Sequence, residues 1–448
     1  MIARTQWSTW AGRTAISVAA LVTALAGHPG RGVAFGQSIG LTALTTFGSN
    51  GWLAPGSNVY LDSVSGLQRG LAYNPVTKNV VLVSRTNTSV VGNTNNIVIL
   101  NGTTGVVSGT LNPSGITGGT FPINMAGVDA DGSVYVGNLA LGGGPFKVYK
   151  WNSESTTSAP TVAFQWNVPS NSTTTSGTGA YRFGDAFDVY GSGASTRFAA
   201  AGTSTGTTGG LGTSFRNNAN FLVGSTDLSN KFALYKGIVG TGTTTNNYRV
   251  SLSFVDQDTV MGTEGDWVRV TDYVTDNFAT VTGTQQGPTN STLISSIRSG
   301  SAALGGTTEY RVLDYLSMGG KQYLAILRTG NAGTGAGANA VNVYDISTQI
   351  TQTTGTNPTL VATLDLTTTE FTNGNASGQV AWGDISIQDG FWFSAPLYVL
   401  NTNNGIQAMI FTVPEPSTWA MLATGVVASA GVFMRRRSRR RGGNRVAA

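Results

Sequence analysis

Gly70-Leu71-Ala72-Tyr73-Asn74-Pro75-Val76-Thr77-Lys78-Asn79-Val80-Val81-Leu82-Val83-Ser84 reads strand, turn, strand. Its two apolar runs are short and rich in aromatic and β-branched residues, as a half-buried pleated surface requires. Asn74-Pro75 punctuates them, because proline presets φ and asparagine bonds its own backbone two residues on. The figure returns along the chain. Ile97–Leu100, an Asn101-Gly102 turn and Val106–Leu111 make the next hairpin. Met125–Asp129, the turn Asp129-Ala130-Asp131-Gly132, Ser133–Asn138, Phe146–Trp151 and Val162–Val168 follow. Phe187–Tyr190, Arg197–Ala201, Phe221–Ser225 and Lys231–Ile238 come next. A fourth copy uses Ser251–Phe254, Val260–Thr263, Trp267–Asp272 and Ala279–Gly283. A fifth uses Tyr310–Tyr315, Gln322–Arg328, Ala340–Asp345 and Leu360–Leu366. The sixth is Val380–Gln388, Gly390–Ser394, Leu397–Asn401 and Gln407–Val413. Helical periodicity is almost absent between residues 38 and 412.

Repeats of roughly 40–60 residues, each about four strands, predict an all-β, β-propeller-like body of six or seven four-stranded blades over residues 37–412. Radial stacking buries both faces of each sheet and leaves only short edges exposed. Leu41–Phe47 and Val59–Leu61 are expected to complete the last blade. A pair of β-sandwiches or a β-solenoid is the competing architecture. The hairpins at Tyr73–Thr77 and Asp129–Gly132 resemble those of secreted quinoprotein-like and NHL-like propellers. That likeness implies fold and not function.

Glycine supplies 61 of 448 residues, about twice the usual share. Much of it falls in the Thr/Ser/Asn/Gly connections 153–160, 170–179, 202–214, 240–247, 282–292 and 330–339, read as solvated rim loops or carriers of O-linked sugar. Gly333–Gly337 lacks the Lys-Ser/Thr ending of a phosphate loop.

The chain after the repeats is of another kind. Val413-Pro414-Glu415-Pro416-Ser417-Thr418-Trp419-Ala420-Met421 leads into an uncharged run, Trp419–Met434, then Arg435, Arg436, Arg437, Ser438, Arg439, Arg440 and Arg441. A sixteen-residue helix spans roughly 24 Å against a hydrocarbon core of about 30 Å, so it is marginal as a lasting span. The arginines would hold their end in the cytoplasm, placing the body outside. Pro414 and Pro416 bar the helix from running upstream, which predicts an extended, accessible Val413–Ser417. These features together resemble the PEP-CTERM sorting signal of Gram-negative bacteria. The resemblance implies recognition by an exosortase, export to the surface through a transient inner-membrane stage, and a host that makes extracellular polysaccharide. The helix is richer in Ala, Gly and Val than the family's leucine-rich average, and Gly442–Ala448 extends past the arginines. Residues 413–448 are read as this signal.

Arg4 and Arg13, the apolar run Ala15–Ala26 and Ala34-Phe35-Gly36 read as a secretory signal peptide over residues 1–36, cut by signal peptidase before Gln37. Of 26 Lys and Arg and 21 Asp and Glu, ten and one respectively lie outside 37–412, so the body carries 16 against 20, a net −4. The basic pI of 9.4 belongs to the two ends, and a nucleic-acid role loses its support. There is no cysteine, and the single histidine is His28, inside the signal peptide. Ser-His-Asp and Cys-His catalysis, His- or Cys-bound zinc and His- or Cys-ligated haem are thereby excluded from the body.

Any catalysis rests on carboxylates, tyrosine, lysine, arginine or hydroxyls. Asp129-x-Asp131-Gly132 has part of a calcium-loop pattern but no glycine at position six or Glu at twelve, and reads as a β-turn. Asp185 with Asp188, Asp256 with Asp258 and Glu264 with Asp266 are paired carboxylates, read first as turn and strand-end acids. Trp267, Trp382, Trp392 and Tyr315 are candidates to stack on sugar or to fill space between blades. No catalytic, metal or cofactor site is assigned. The expected function is a non-catalytic matrix or glycan-binding protein. The alternative is a carboxylate-dependent enzyme on extracellular polysaccharide; a quinoprotein is a third possibility.

Overall fold

A computed structural model describes residues 39–85, 96–141, 143–168, 182–203, 221–227, 229, 231–236, 248, 251–264, 267–273, 279–280, 289–290, 292–298, 310–329, 339–351, 357–365, 371, 373, 377–388 and 392–414. They fall in the unit Ile39–Ala448. The signal-peptide reading, the helix Trp419–Met434, the arginine block, Asp266 and the loops 170–179, 240–247 and 330–338 lie outside the described residues, as do most of 202–214 and 282–292.

Two short strands open the fold, β1 (Gly40–Ala43) and β2 (Trp52–Leu53). The first antiparallel sheet is β3 (Gln68–Tyr73), β4 (Asn79–Ser84), β5 (Asn96–Asn101) and β6 (Val107–Thr110). Next come β7 (Phe121–Val128), β8 (Val134–Leu141), β9 (Pro145–Trp151) and β10 (Thr161–Asn167), paired in that order. They are followed by β11 (Arg182–Tyr190), β12 (Arg197–Thr203), β13 (Phe221–Ser225) and β14 (Lys231–Lys236). A brief pairing of β11 with β8 joins these two groups into one larger sheet. The following group is β15 (Leu252–Phe254), β16 (Thr259–Glu264) and β17 (Trp267–Asp272); β18 (Ala279–Thr280) and β19 (Thr289–Asn290) pair back to β14, and β20 (Thr292–Arg298) pairs with β17. Then come β21 (Tyr310–Met318), β22 (Lys321–Thr329), β23 (Asn339–Asp345) and β24 (Thr359–Asp365). The last sheet holds β25 (Gly378–Trp382), β26 (Ser386–Gln388), β27 (Trp392–Asn401) and β28 (Gly405–Pro414). Among the described residues the helical content is one 3-10 turn, Gly193–Ser195.

The strand period explains the packing. Val80, Val81, Leu82 and Val83 are all fully buried, and alternate residues point to opposite faces. Val80 and Leu82 join Val98 and Leu100 against Tyr398, Leu400 and Ile406 of the last sheet. Val81 and Val83 join Ile97 and Ile99 against Val134, Val136, Tyr149 and Trp151 of the second group. One strand therefore serves two cores. The pattern continues: β8–β10 pack on β11–β14, these on β15 and β16, β16 and β17 on β21–β23, and β22–β24 on the last sheet. The first strands β3, β7, β11, β15, β21 and β25 touch in succession, and β25 returns to β3. At the outer side β1 pairs with β28, Gly40 opposite Thr412 through Ala43 opposite Met409. The body is propeller-like, closed by a strand from each end of the fold.

The turns form for the reasons their residues suggest. Asn74 Oδ1 accepts from Val76 N at 2.9 Å and Thr77 N at 3.3 Å. Asp129 Oδ1 accepts from Asp131 N at 3.1 Å and Ser133 N at 2.9 Å, while Gly132 takes φ +83°.

Three expectations are corrected. The fourth group's outer strand is Thr292–Arg298, and Ala279–Thr280 belongs to the neighbouring group. The Thr/Gly-rich stretch between them conceals from pattern alone that Leu293, Ile294 and Ile297 lie in the strand. Second, the expected pair Gly390–Ser394 and Leu397–Asn401 is spanned by one strand, Trp392–Asn401, running through Pro396. Proline is accommodated there because the inner partner breaks into β25 and β26 opposite it, so no ladder donor is missing. Third, Tyr60 and Leu61 fill the core between the last and first sheets without forming a strand.

Gly184 marks the β11 bulge where the strand turns from β8 toward the centre. It has φ +100°, and a Cβ there would stand 1.9 Å from the Asn138 carbonyl oxygen. Gly184→Ala is expected to cost about 3 kcal/mol or more, from left-handed strain plus the clash. A urea unfolding curve checks it; an unshifted midpoint would contradict the bulge.

Candidate functional site

The first strands enclose a cavity of about 150 Å³ lined by Leu71–Tyr73, Met125–Val128, Ala186–Asp188, Leu252, Leu313–Asp314 and Gly378–Trp382. Its polar groups tie the strands together. Gln379 Nε2 donates to Ala126 O at 2.8 Å and Phe187 O at 3.1 Å, and its Oε1 accepts from Leu71 N at 2.8 Å. One amide on β25 thus reaches β3, β7 and β11, using both its donor and acceptor ends.

Two carboxylates complete the hub. Asp188 Oδ1 accepts from Val189 N at 2.8 Å, and Oδ2 from Phe254 N of β15 at 2.7 Å. Asp314 Oδ1 accepts from Tyr315 N and Ser253 Oγ, each at 2.8 Å, and Oδ2 from Trp382 N of β25 at 3.0 Å. Both acids lie deep in the ring but keep part of their surface on the cavity. Burial pushes the Asp188 carboxyl well above the usual range, and the nearby Asp314 charge adds to it. Burial also raises Asp314. Like charges that close cannot both ionise freely, so the pair favours retaining a proton.

Of the residues singled out in the sequence, Asp188 is at this centre and Asp185 is not: Asp185 forms a bidentate ion pair with Arg182. Asp256 and Asp258 sit in the β15–β16 turn, where Asp256 Oδ1 accepts from Asp258 N at 2.9 Å. Glu264 ends β16, away from those acids along the strand. Asp129 is buried, and its Oδ2 accepts from Tyr135 Oη at 3.0 Å and Thr196 Oγ1 at 3.3 Å. Among the described residues no three His, Cys, Asp or Glu side chains gather as for a metal. Trp382 packs on Phe411 with centroids 5.6 Å apart and donates Nε1 to Asp314 O at 3.3 Å. Tyr315 hydrogen-bonds Gln322. Trp392 is half-buried, opposite Pro414 in the sheet. The backbone of Trp267 opens β17.

Asp314 and Gln379 were missed. Their signal is one polar residue inside an otherwise apolar first strand, as in Val312-Leu313-Asp314-Tyr315.

At the other end of the described chain, Val413 is buried and Pro414 closes β28, so the Pro-Glu-Pro segment begins inside the sheet rather than after it. Residues 412–440 match the PEP-CTERM protein-sorting motif. The chain carries a PEP-CTERM sorting signal. This implies processing by an exosortase and export with surface sorting in a Gram-negative bacterium. Residues 32–211 of the PEP-CTERM chain match DUF4623, a domain of unknown function. No curated protein matches it. Among solved structures, a DUF4623 family protein from Bacteroides eggerthii DSM 20697 is similar at 16% identity and TM-score 0.44, over 80% of this chain and 73% of that one. A protein of unknown function from Dyadobacter fermentans DSM 18053 is similar at 9% identity and TM-score 0.37, over 78% and 96%. An arabinanase from Bacillus subtilis is similar at 14% identity and TM-score 0.29, over 64% and 92%. Among the described residues, no helix is long and apolar enough to cross a membrane.

Proposed function

We propose that this PEP-CTERM protein is an exported surface protein whose closed ring of six blades holds extracellular polysaccharide without cleaving it. The sorting motif at 412–440, which begins within the last strand, carries the reading. Residues 1–36 act as signal peptide, and the sorting signal holds the chain transiently in the inner membrane before processing. The six-blade count is supported by the successive inter-sheet cores and by the return of β25 to β3.

Two observations weigh against an enzyme. The cavity of about 150 Å³ falls short of the roughly 300 Å³ at which small-molecule sites begin. Each oxygen of Asp188 and Asp314 already accepts from the protein itself, which makes them staples between neighbouring strands. The raised carboxyl pair is the one feature favouring catalysis, and it moves that rival from Asp256 and Glu264 to Asp188 and Asp314. Incubation with the host's own polysaccharide separates the two. Retention of polymer with no new reducing ends is expected; reducing ends that vanish in Asp314→Asn would establish the enzyme.

A further inference from the structure

Among the described residues, three guanidinium groups stand at one mouth of the ring, served by a single carboxylate. Arg69 and Arg182 lie at the upstream ends of β3 and β11, just before the residues that line the cavity. Arg85 follows β4, which runs antiparallel to β3 and so finishes at the same mouth. Arg69 and Arg85 meet at Gly66. Arg85 Nη2 donates to Gly66 O at 3.3 Å, and a Cβ on Gly66 would lie 3.6 Å from Arg69 Nη2. The Arg85 guanidinium is 3.9 Å from the centre of the Phe121 ring, and its residue is only 9% exposed. Arg69 donates Nη1 to Ser377 Oγ. Among the described residues the Nε of Arg69 and the Nε and Nη1 of Arg85 have no hydrogen-bond partner. Asp185 is already held by Arg182.

A partly buried cluster with three cations and one anion is costly when empty, because buried charge is stable only when paired. Burial and mutual repulsion act on the cluster together. Burial pulls Arg85 down to about 9, and the Arg69 and Arg182 charges pull the same way. Arg69 is lowered by burial, then raised by Asp185 and lowered by Arg182. Arg69 and Arg182 keep part of their surface exposed, whereas Arg85 is buried. Pro414 leaves the ring at the opposite end, since it pairs with Trp392 while Gly378 pairs with Asn401. The arginine mouth and Pro414 therefore lie at opposite ends of the described body.

We infer that this mouth binds the carboxylate of an acidic sugar in the extracellular polysaccharide, with Arg69 as the principal contact. The inference rests on the polysaccharide-holding role and names its ligand class. A planar guanidinium fork suits a carboxylate, and the charge excess selects against neutral sugars.

The test titrates the full chain with trigalacturonate, with its neutral methyl ester, and with sodium sulfate at matched ionic strength, following heat and melting temperature. Trigalacturonate should bind and raise Tm as mass action requires. The ester should bind at least tenfold more weakly. Arg69→Gln should lose at least tenfold in affinity, with Arg69→Lys intermediate. Arg85→Gln, which removes a supporting charge, should reduce the anion-dependent rise in Tm by less than Arg69→Gln does. Equal binding of acid and ester, or unchanged binding by a folded Arg69→Gln, overturns the proposal. So does binding of sulfate alone. If parent and Arg69→Gln hold the host polysaccharide equally and ignore trigalacturonate, the polysaccharide role stands and the arginine site falls. If trigalacturonate binds through Arg69 but host polysaccharide does not, the site stands and the role falls.

Discussion

Asp314→Ala should lower the unfolding free energy by about 3–5 kcal/mol at pH 5, and by less at pH 8. The alanine strips partners from Tyr315 N, Ser253 Oγ and Trp382 N, groups on three adjoining first strands. Each buried donor left unpaired costs about 1–3 kcal/mol, with cavity water recovering part of it. The pH dependence follows from the raised carboxyls. An acid whose native pKa lies above its unfolded value binds its proton more tightly when folded, so stability is lost as pH rises from about 4 toward the native value. Removing Asp314 relieves the repulsion on Asp188, which offsets part of the damage at pH 8 and flattens the profile. Asp256→Asn, in an exposed turn, should move stability by less than about 0.5 kcal/mol. Denaturant titrations at the two pH values check all three statements. A loss equal at both, or no loss, would mean the carboxyls are not the staples described.

How much of this was legible in the sequence differs by level. Val80–Val83 announced a strand with two buried faces, and Asn74-Pro75 announced its turn, since both depend on local chemistry. The turn reading of Asp256 and Asp258 was legible for the same reason. Pro396 misled because its tolerance depends on a break in the neighbouring strand, which no window on β27 contains. The hub was largely hidden. Gln379 meets Leu71 and Ala126 across more than 250 positions, and Asp314 meets Ser253 across 61. Such meetings arise only when the ring closes. The arginine mouth was hidden likewise: Arg69, Arg85 and Arg182 are unremarkable singly and acquire meaning from the starts of β3 and β11 meeting the end of β4.

The second large effect concerns location. The deletion should begin at Glu415, because Val413 and Pro414 belong to β28 and pair with Phe393 and Trp392. Removing them would confound sorting with unfolding. Loss of Glu415–Arg441 takes away Glu415-Pro416, the apolar run and all six arginines from Arg435 to Arg441, while leaving the ring whole. The body then lacks most of the motif that an exosortase processes.

The decisive measurement is the amount of protein on intact cells against that in the medium, for the full chain and for the chain lacking Glu415–Arg441, with melting temperature confirming that both bodies fold. The account predicts that the full chain is retained at the surface and that the deleted chain is lost from it at least tenfold. Equal surface retention of two folded proteins would contradict it.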